Sequence, residues 1–336
     1  MQFAQAIRQM SSGIRARFRS FFGGLRNVDG AQLLNWGKKI GGVLILFGLL
    51  YYPIGMLWFH QINDDIDEPL GRPDLLESQS RVVDVVAALI DREVNQTYWV
   101  DNDPFFYPSA FLDNMPNFQV GVISACARFS VQLADQLGRT RGSSPIDPDL
   151  EKANGELQYR GDRWFWDLNE SWLPAQPTEG HYRVALRALR SYNERLARGD
   201  ATFERRADNL LATLDRIALD VGSASADLEN AIAERAIFID TNADDVFYSV
   251  KGQMYGYLMI LRALETDFAA VIEEKRLESV FDEMLSSLEQ GLALDPWVVV
   301  NASPDGQLLP SHLAAQGFYL LRARTQMREI TDILLK

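Results

Sequence analysis

Residues 40–59 read IGGVLILFGLLYYPIGMLWF, twenty positions without a charge. A helix of that length rises about 30 Å, the thickness of a bilayer's hydrocarbon core. About a dozen of these side chains are Leu, Ile, Val, Phe or Met. Each favours insertion by about 0.3–0.6 kcal/mol, which outweighs the Gly residues and Pro53. Trp36 and Trp58 flank the run, about 33 Å apart along a helix axis, where interfacial aromatic belts sit. A buried core helix is the alternative, and the length and flanks of the run argue against it. A cleaved signal peptide has a shorter run nearer the start and a small-x-small site after it, and neither is present here. The sequence therefore predicts a transmembrane helix over 40–60, with the lipid bilayer as its partner.

Charge sets the expected orientation. Residues 1–39 hold seven Lys or Arg, among them Arg15, Arg17, Arg19, Lys38 and Lys39, against the single acid Asp29. The whole chain carries −13, so residues 40–336 carry −19. By the positive-inside rule the basic arm is cytoplasmic and everything after residue 60 lies across the membrane, which in a Gram-negative bacterium is the periplasm. The acidic bulk would repel phosphates and argues against nucleic acid as a partner.

Within the arm, Phe3, Ile7, Met10, Ile14, Phe18, Phe21 and Leu25 recur at helical spacing. A basic amphipathic helix of this kind can lie on anionic lipids, with Arg15, Arg17, Arg19, Lys38 and Lys39 at the interface. An ordinary topogenic basic tail is the alternative, and a mitochondrial targeting segment shares the composition. Residues 61–74 read as an acidic linker.

Residues 75–336 are expected to form a periplasmic helical domain. Hydrophobic residues make up 47% of the chain, enough for a sizeable core. Helical stripes predict helices over Asp74–Asn95, Phe118–Leu137, Asp149–Leu157, Thr178–Arg198, Ala201–Val221, Asp244 to about Leu292 with a break near Glu273–Arg276, and Ser311–Leu335. Gly222 and Ser223 are expected to kink or end one of them. Only Trp297–Val300 reads as extended. The expected fold class is all-α, a single transmembrane helix followed by an irregular helical bundle with long aromatic loops.

No catalytic constellation is legible. The three histidines, His60, His181 and His312, lack partners at ligand spacing. No phosphate-cradling glycine loop or nucleophile elbow is present. Neither a metal nor a cofactor is expected. Asp240–Asp244 imitates the start of a calcium loop, but its sixth and twelfth positions are Asp245 and Lys251 instead of Gly and Glu. Capping of a helix by Asp244 explains it better. The lone Cys126 lies on an apolar stripe and reads as a core thiol. Two aromatic, acid-bearing loops stand out and hold Trp99, Trp164, Trp166 and Trp172 with Asp167 and Glu170. They form the candidate surface for a partner or glycan, because aromatic faces stack on sugars and paired carboxylates hydrolyse glycosidic bonds. Their rings packed onto the bundle would be the plainer outcome.

Four segments carry a resemblance: FLDNMPNFQVGV (Phe111–Val122), NESWLP (Asn169–Pro174), RADNL (Arg206–Leu210) and DDVFYSVKGQMYGYL (Asp244–Leu258). In them the chain resembles a proteobacterial family of inner-membrane-anchored proteins filed as a domain of unknown function. The likeness spans roughly residues 40–335 and implies a bacterial inner membrane. It brings no catalytic or binding residues with it. The expected function is a non-catalytic scaffold, assembly or interaction factor that engages another envelope protein. The alternative is a peptidoglycan- or glycan-binding domain, possibly a hydrolysing one, that uses the aromatic loops.

Overall fold

Apolar stripes at a period of 3.6 commit most of this chain to helix, and among the described residues there are ten α-helices and no strand. The computed structural model describes residues 30–139, 145–166, 172–234, 241–303 and 310–336. The basic arm with Arg15, Arg17 and Arg19 falls outside that set, as do Asp167 and Glu170. The chain divides into two units, Met1–Gly55 and Met56–Lys336.

The first helix, α1 (Gly30–Phe59), begins before the uncharged run, so Lys38 and Lys39 lie on it. Residues Leu34–Phe59 are long and apolar enough to cross a membrane, and none of their most apolar window is buried. Trp36 and Trp58 are 69% and 73% exposed, consistent with side chains that protein does not cover.

The second unit is a bundle built from α2 (Arg81–Asp91), α3 (Asn114–Gln132), α4 (Pro148–Leu157), α5 (Thr178–Arg198), α6 (Ala207–Ala233), α7 (Thr241–Asp267), α8 (Ala269–Lys275), α9 (Glu278–Leu292) and α10 (His312–Leu334). Helix α7 is central and packs on α2, α3, α6, α9 and α10. Its sequence suits this position, because Phe247, Met254, Tyr255, Leu258, Leu261 and Leu264 are all buried and a narrow stripe with Asn242, Asp245, Ser249 and Gln253 is left partly exposed. The α3–α7 contact is the closest. A Cβ on Gly121 would strike the backbone of Ser249 and Gln253, and one on Gly252 would strike the Phe118 carbonyl. Gly256 approaches Val122 and Ala125 in the same way.

Two expected boundaries move. Helix α2 starts at Arg81, not Asp74, because Ser80 caps it and accepts from the Val83 amide at 3.2 Å. Asp267, at the far end of α7, adds a second cap. Its carboxylate accepts from Ser80 Oγ at 2.8 Å, from the Arg81 amide at 3.0 Å and from the Val82 amide at 3.0 Å. Helix α6 runs through Gly222 without a break. A Cβ at Gly222 would meet the Arg324 guanidinium, so this glycine admits a neighbouring side chain and does not end the helix. Residues 297–300 form no strand. The only pairing nearby is the isolated bridge between Asn301 and Ser311.

Residues 61–74, expected as a linker, are held against the bundle as a strap. Lys251 Nζ, 1% exposed, pairs with Asp64 at 2.6 Å. Arg92 reaches Glu68 at 3.1 Å, and the Tyr255 hydroxyl donates to the Asp65 carbonyl at 3.1 Å. Arg262 donates to the Ile66 carbonyl, and Arg72 pairs with Asp84 at 2.9 Å. Two of the acids that read as solvated spacer, Asp64 and Glu68, are counter-charges for the buried cations Lys251 and Arg92.

Candidate functional site

The two aromatic loops follow α2 and α4, and the structure brings them together. Asp103 organises the first by accepting from the Tyr98 hydroxyl at 3.1 Å and from Ser109 Oγ. A 3₁₀ turn, Pro108–Phe111, closes it. In the second, Thr178 Oγ1 donates to the Arg160 carbonyl at 2.6 Å and accepts from the Arg163 amide at 3.2 Å. Asn102 joins the loops by donating to the Arg163 carbonyl at 2.9 Å and to Glu179 at 2.7 Å. Phe106 meets Trp164 edge to face, with ring centroids 5.8 Å apart.

The four loop tryptophans part company here. Trp99, one of the candidates for an exposed surface, is in the core at 2% exposure, the packed alternative. Its indole N–H donates to the Gly161 carbonyl at 3.0 Å and its ring meets Tyr182 edge-on. A loop has no period to announce which ring turns inward, and a carbonyl from the other loop decides it. Trp164 is half-buried against Phe106. Trp166 and Trp172 are 48% and 78% exposed, and the Trp166 indole donates to the Trp172 carbonyl at 2.7 Å. Phe105, Phe106 and Phe111 of the first loop are exposed as well, and these rings of the two joined loops are termed the aromatic ledge.

Beside the ledge sit two carboxylates, Asp101 and Asp162. Burial, reinforced by the negative charge of Asp162, raises the Asp101 carboxyl to about 6. Asp162 is gripped by Arg160, with one contact at 3.0 Å. An acid that keeps its proton up to about pH 6 beside a second carboxylate can exchange protons with a bound group.

Sequence reading missed a second feature. Asn117, Asp227, Asn230, Asn242, Asp245 and Gln253 line a polar cleft of about 320 Å³. Asn117 donates to Asp245 at 2.8 Å across it. Asp244 stands in the first turn of α7 and does not cap it, because the helix already begins at Thr241. Burial, with Asp113 and Asp245 nearby, raises the Asp244 carboxyl to about 6. No group of three or more His, Cys, Asp or Glu is placed to hold a metal among the described residues. His181 instead contacts Glu156 at 2.6 Å and stacks on Tyr159, while His312 Nδ1 accepts from the Val300 amide at 2.9 Å. Cys126 is fully buried, and burial pushes its thiol up to about 12.

The profile of a family described as uncharacterized proteins conserved in bacteria (DUF2333) matches residues 76–243 and 239–336. The chain belongs to that family. No curated protein and no solved structure matches it. Two segments of this family member that carry the likeness, Phe111–Val122 and Asp244–Leu258, contain Gly121, Gly252 and Gly256 of the α3–α7 contact. A tight helix crossing thus accounts physically for those motifs without assigning them a ligand.

Proposed function

We propose that this protein is a bitopic inner-membrane protein with a cytoplasmic N-terminus. Its periplasmic bundle engages another envelope protein and catalyses no reaction itself. The basic arm before Ile40 and the acidic residues after Phe59 support the orientation. The observation that carries the interaction reading is Trp297, fully exposed at the tip of the α9–α10 connection, with Val298 73% exposed beside it. The backbone that follows is held at residues 300 and 301. The His312 amide donates to the Val300 carbonyl at 3.0 Å, and Asn301 donates to the Ala231 carbonyl at 2.9 Å. A large indole held in water just before a fixed stretch of backbone is the kind of residue that anchors protein–protein interfaces, since less ordering entropy remains to be lost on binding.

The test is recovery of a stoichiometric partner with the full chain from membranes in mild detergent. Wild type and Trp297→Phe are expected to retain that partner, and Trp297→Ala to lose it. Repeated recovery of the wild-type chain alone contradicts the reading.

A further inference from the structure

We propose that the aromatic ledge seats in the interface of the bilayer crossed by Ile40–Phe59, on the side where the bundle lies, and so holds the bundle against the membrane surface. The inference rests on reading that segment as a span, and the experiment below separates the two.

The first argument is position. A span that begins at Ile40 places Phe59 at the boundary between hydrocarbon and headgroups. The Phe59 ring lies 5.6 Å from that of Tyr98, the residue that opens the first aromatic loop. Tyr98 is held there in the left-handed region, at φ 67°, a conformation that costs a non-glycine residue free energy. Gln119 fixes it by donating to its carbonyl at 3.0 Å. Two residues past Phe59, the Gln61 amide reaches Met115 Sδ at 3.3 Å, just beyond the same loop. The first contacts made around Phe59 are therefore at the two ends of the loop that carries Phe105, Phe106 and Phe111.

Chemistry points the same way. Phe105 is 77% exposed, Phe111 58%, Trp172 78% and Leu173 60%, a concentration of apolar surface that a water-facing domain rarely displays. Rings with an apolar body and a polar edge partition to the headgroup region. The polar edges here are already satisfied. The Tyr98 hydroxyl bonds to Asp103 and the Trp166 indole to the Trp172 carbonyl, so dehydration strands neither group. The two loops, residues 98–111 and 159–174, hold Arg160 and Arg163 against Asp101, Asp103, Asp162, Asp167 and Glu170, a net charge of −3. The attraction is therefore apolar and insensitive to salt, unlike a polybasic lipid contact.

The full chain would be reconstituted in phosphatidylcholine vesicles after labelling with an environment-sensitive fluorophore. Single-cysteine variants Phe105→Cys, Trp172→Cys, Val298→Cys and Ile45→Cys carry the label, and the buried Cys126 stays unlabelled in the folded state. Nitroxides on the lipid acyl chains, near the headgroup or deep, then report depth. The expected result is at least twofold quenching at 105 and 172 by the shallow nitroxide, unchanged in 0.5 M salt. At 45 the deep nitroxide should quench, and at 298 neither should. Aqueous emission at 105 and 172 with normal quenching at 45 overturns the proposal and leaves the span intact. Absence of quenching at 45 overturns the span and the proposal together. Blue-shifted emission at 105 and 172 without lipid quenching also overturns it, because the ledge then meets protein. If peptidoglycan fragments, and not lipid, shift those labels, the ledge is a glycan surface and the proposal fails.

Discussion

Helices α1 and α7 are nearly equal in length, yet the side chains of one are mostly exposed and those of the other mostly buried. Around α1 the side chains are exposed, and a Cβ at Gly37, Gly41, Gly42 or Gly48 would meet nothing within 4 Å. Around α7 the glycines Gly252 and Gly256 meet another helix's backbone, and Lys251, Arg262 and Asp267 find counter-charges in the bundle. Helix α1 carries no charge from Ile40 onward, as a segment solvated by lipid must. Composition separates the two helices in part, since α7 carries six charged residues, Asp244, Asp245, Lys251, Arg262, Glu265 and Asp267. Packing separates them further, because the glycines of α7 meet neighbouring atoms and Gly37, Gly41, Gly42 and Gly48 of α1 do not.

The glycines offer the largest test of this contrast. Gly252→Val forces a branched side chain into the Phe118 carbonyl, where backbone cannot yield, and is expected to cost about 3 kcal/mol or more. Urea unfolding of the full chain in detergent, followed by circular dichroism, measures it. Gly41→Val in α1 should leave the same curve within about 0.5 kcal/mol. A comparable loss at both positions would break the comparison.

Charge gives the next test. Lys251→Met removes a buried cation whose counter-charge, Asp64, is about one-third exposed and can be rehydrated. The expected loss is about 2 kcal/mol, less than the 3–5 kcal/mol of a fully buried broken pair. Accompanying it should be faster amide exchange over residues 61–70, as the strap loosens. The converse change, Leu46→Lys in α1, places a charge where lipid supplies no partner. It should lower the membrane-inserted fraction by an amount equivalent to about 3 kcal/mol, read by carbonate extraction, without altering the bundle's unfolding curve.

A smaller effect concerns the ledge. Asp101 holds its proton up to about pH 6 in the folded state, against an ordinary carboxylate value of 3.8. The folded state therefore binds more protons between those values, and stability falls as pH rises through that window. Asp101→Asn should be neutral at pH 3.5 and stabilising by about 1–2 kcal/mol at pH 7.5, with the downward slope between them removed. An unchanged slope in the variant would show that Asp101 ionises normally.

What the sequence made legible follows the same division. Helix α5 has its expected bounds, Thr178–Arg198, and Cys126 is buried on its expected stripe, because both rest on local periodicity. The strap was misread because an acid facing a buried lysine has the same composition as an acid facing water. Whether Trp99 packs or faces water was not legible, because loops carry no period. Gly222 read as a break because its partner, Arg324, lies on a distant helix. In each case the deciding contact joins residues far apart in the chain.

The central claim is that α1 is an uncleaved anchor whose solvent is lipid, with the bundle exported behind it. Alkaline phosphatase fused after Lys336 tests both parts at once, since the enzyme requires an oxidising compartment for its disulfides. The account predicts phosphatase activity that sediments with the membrane fraction and resists carbonate extraction. Activity in the soluble periplasmic fraction would make α1 a cleaved signal sequence. An inactive fusion, present at full length, would place the bundle in the cytoplasm and contradict the account.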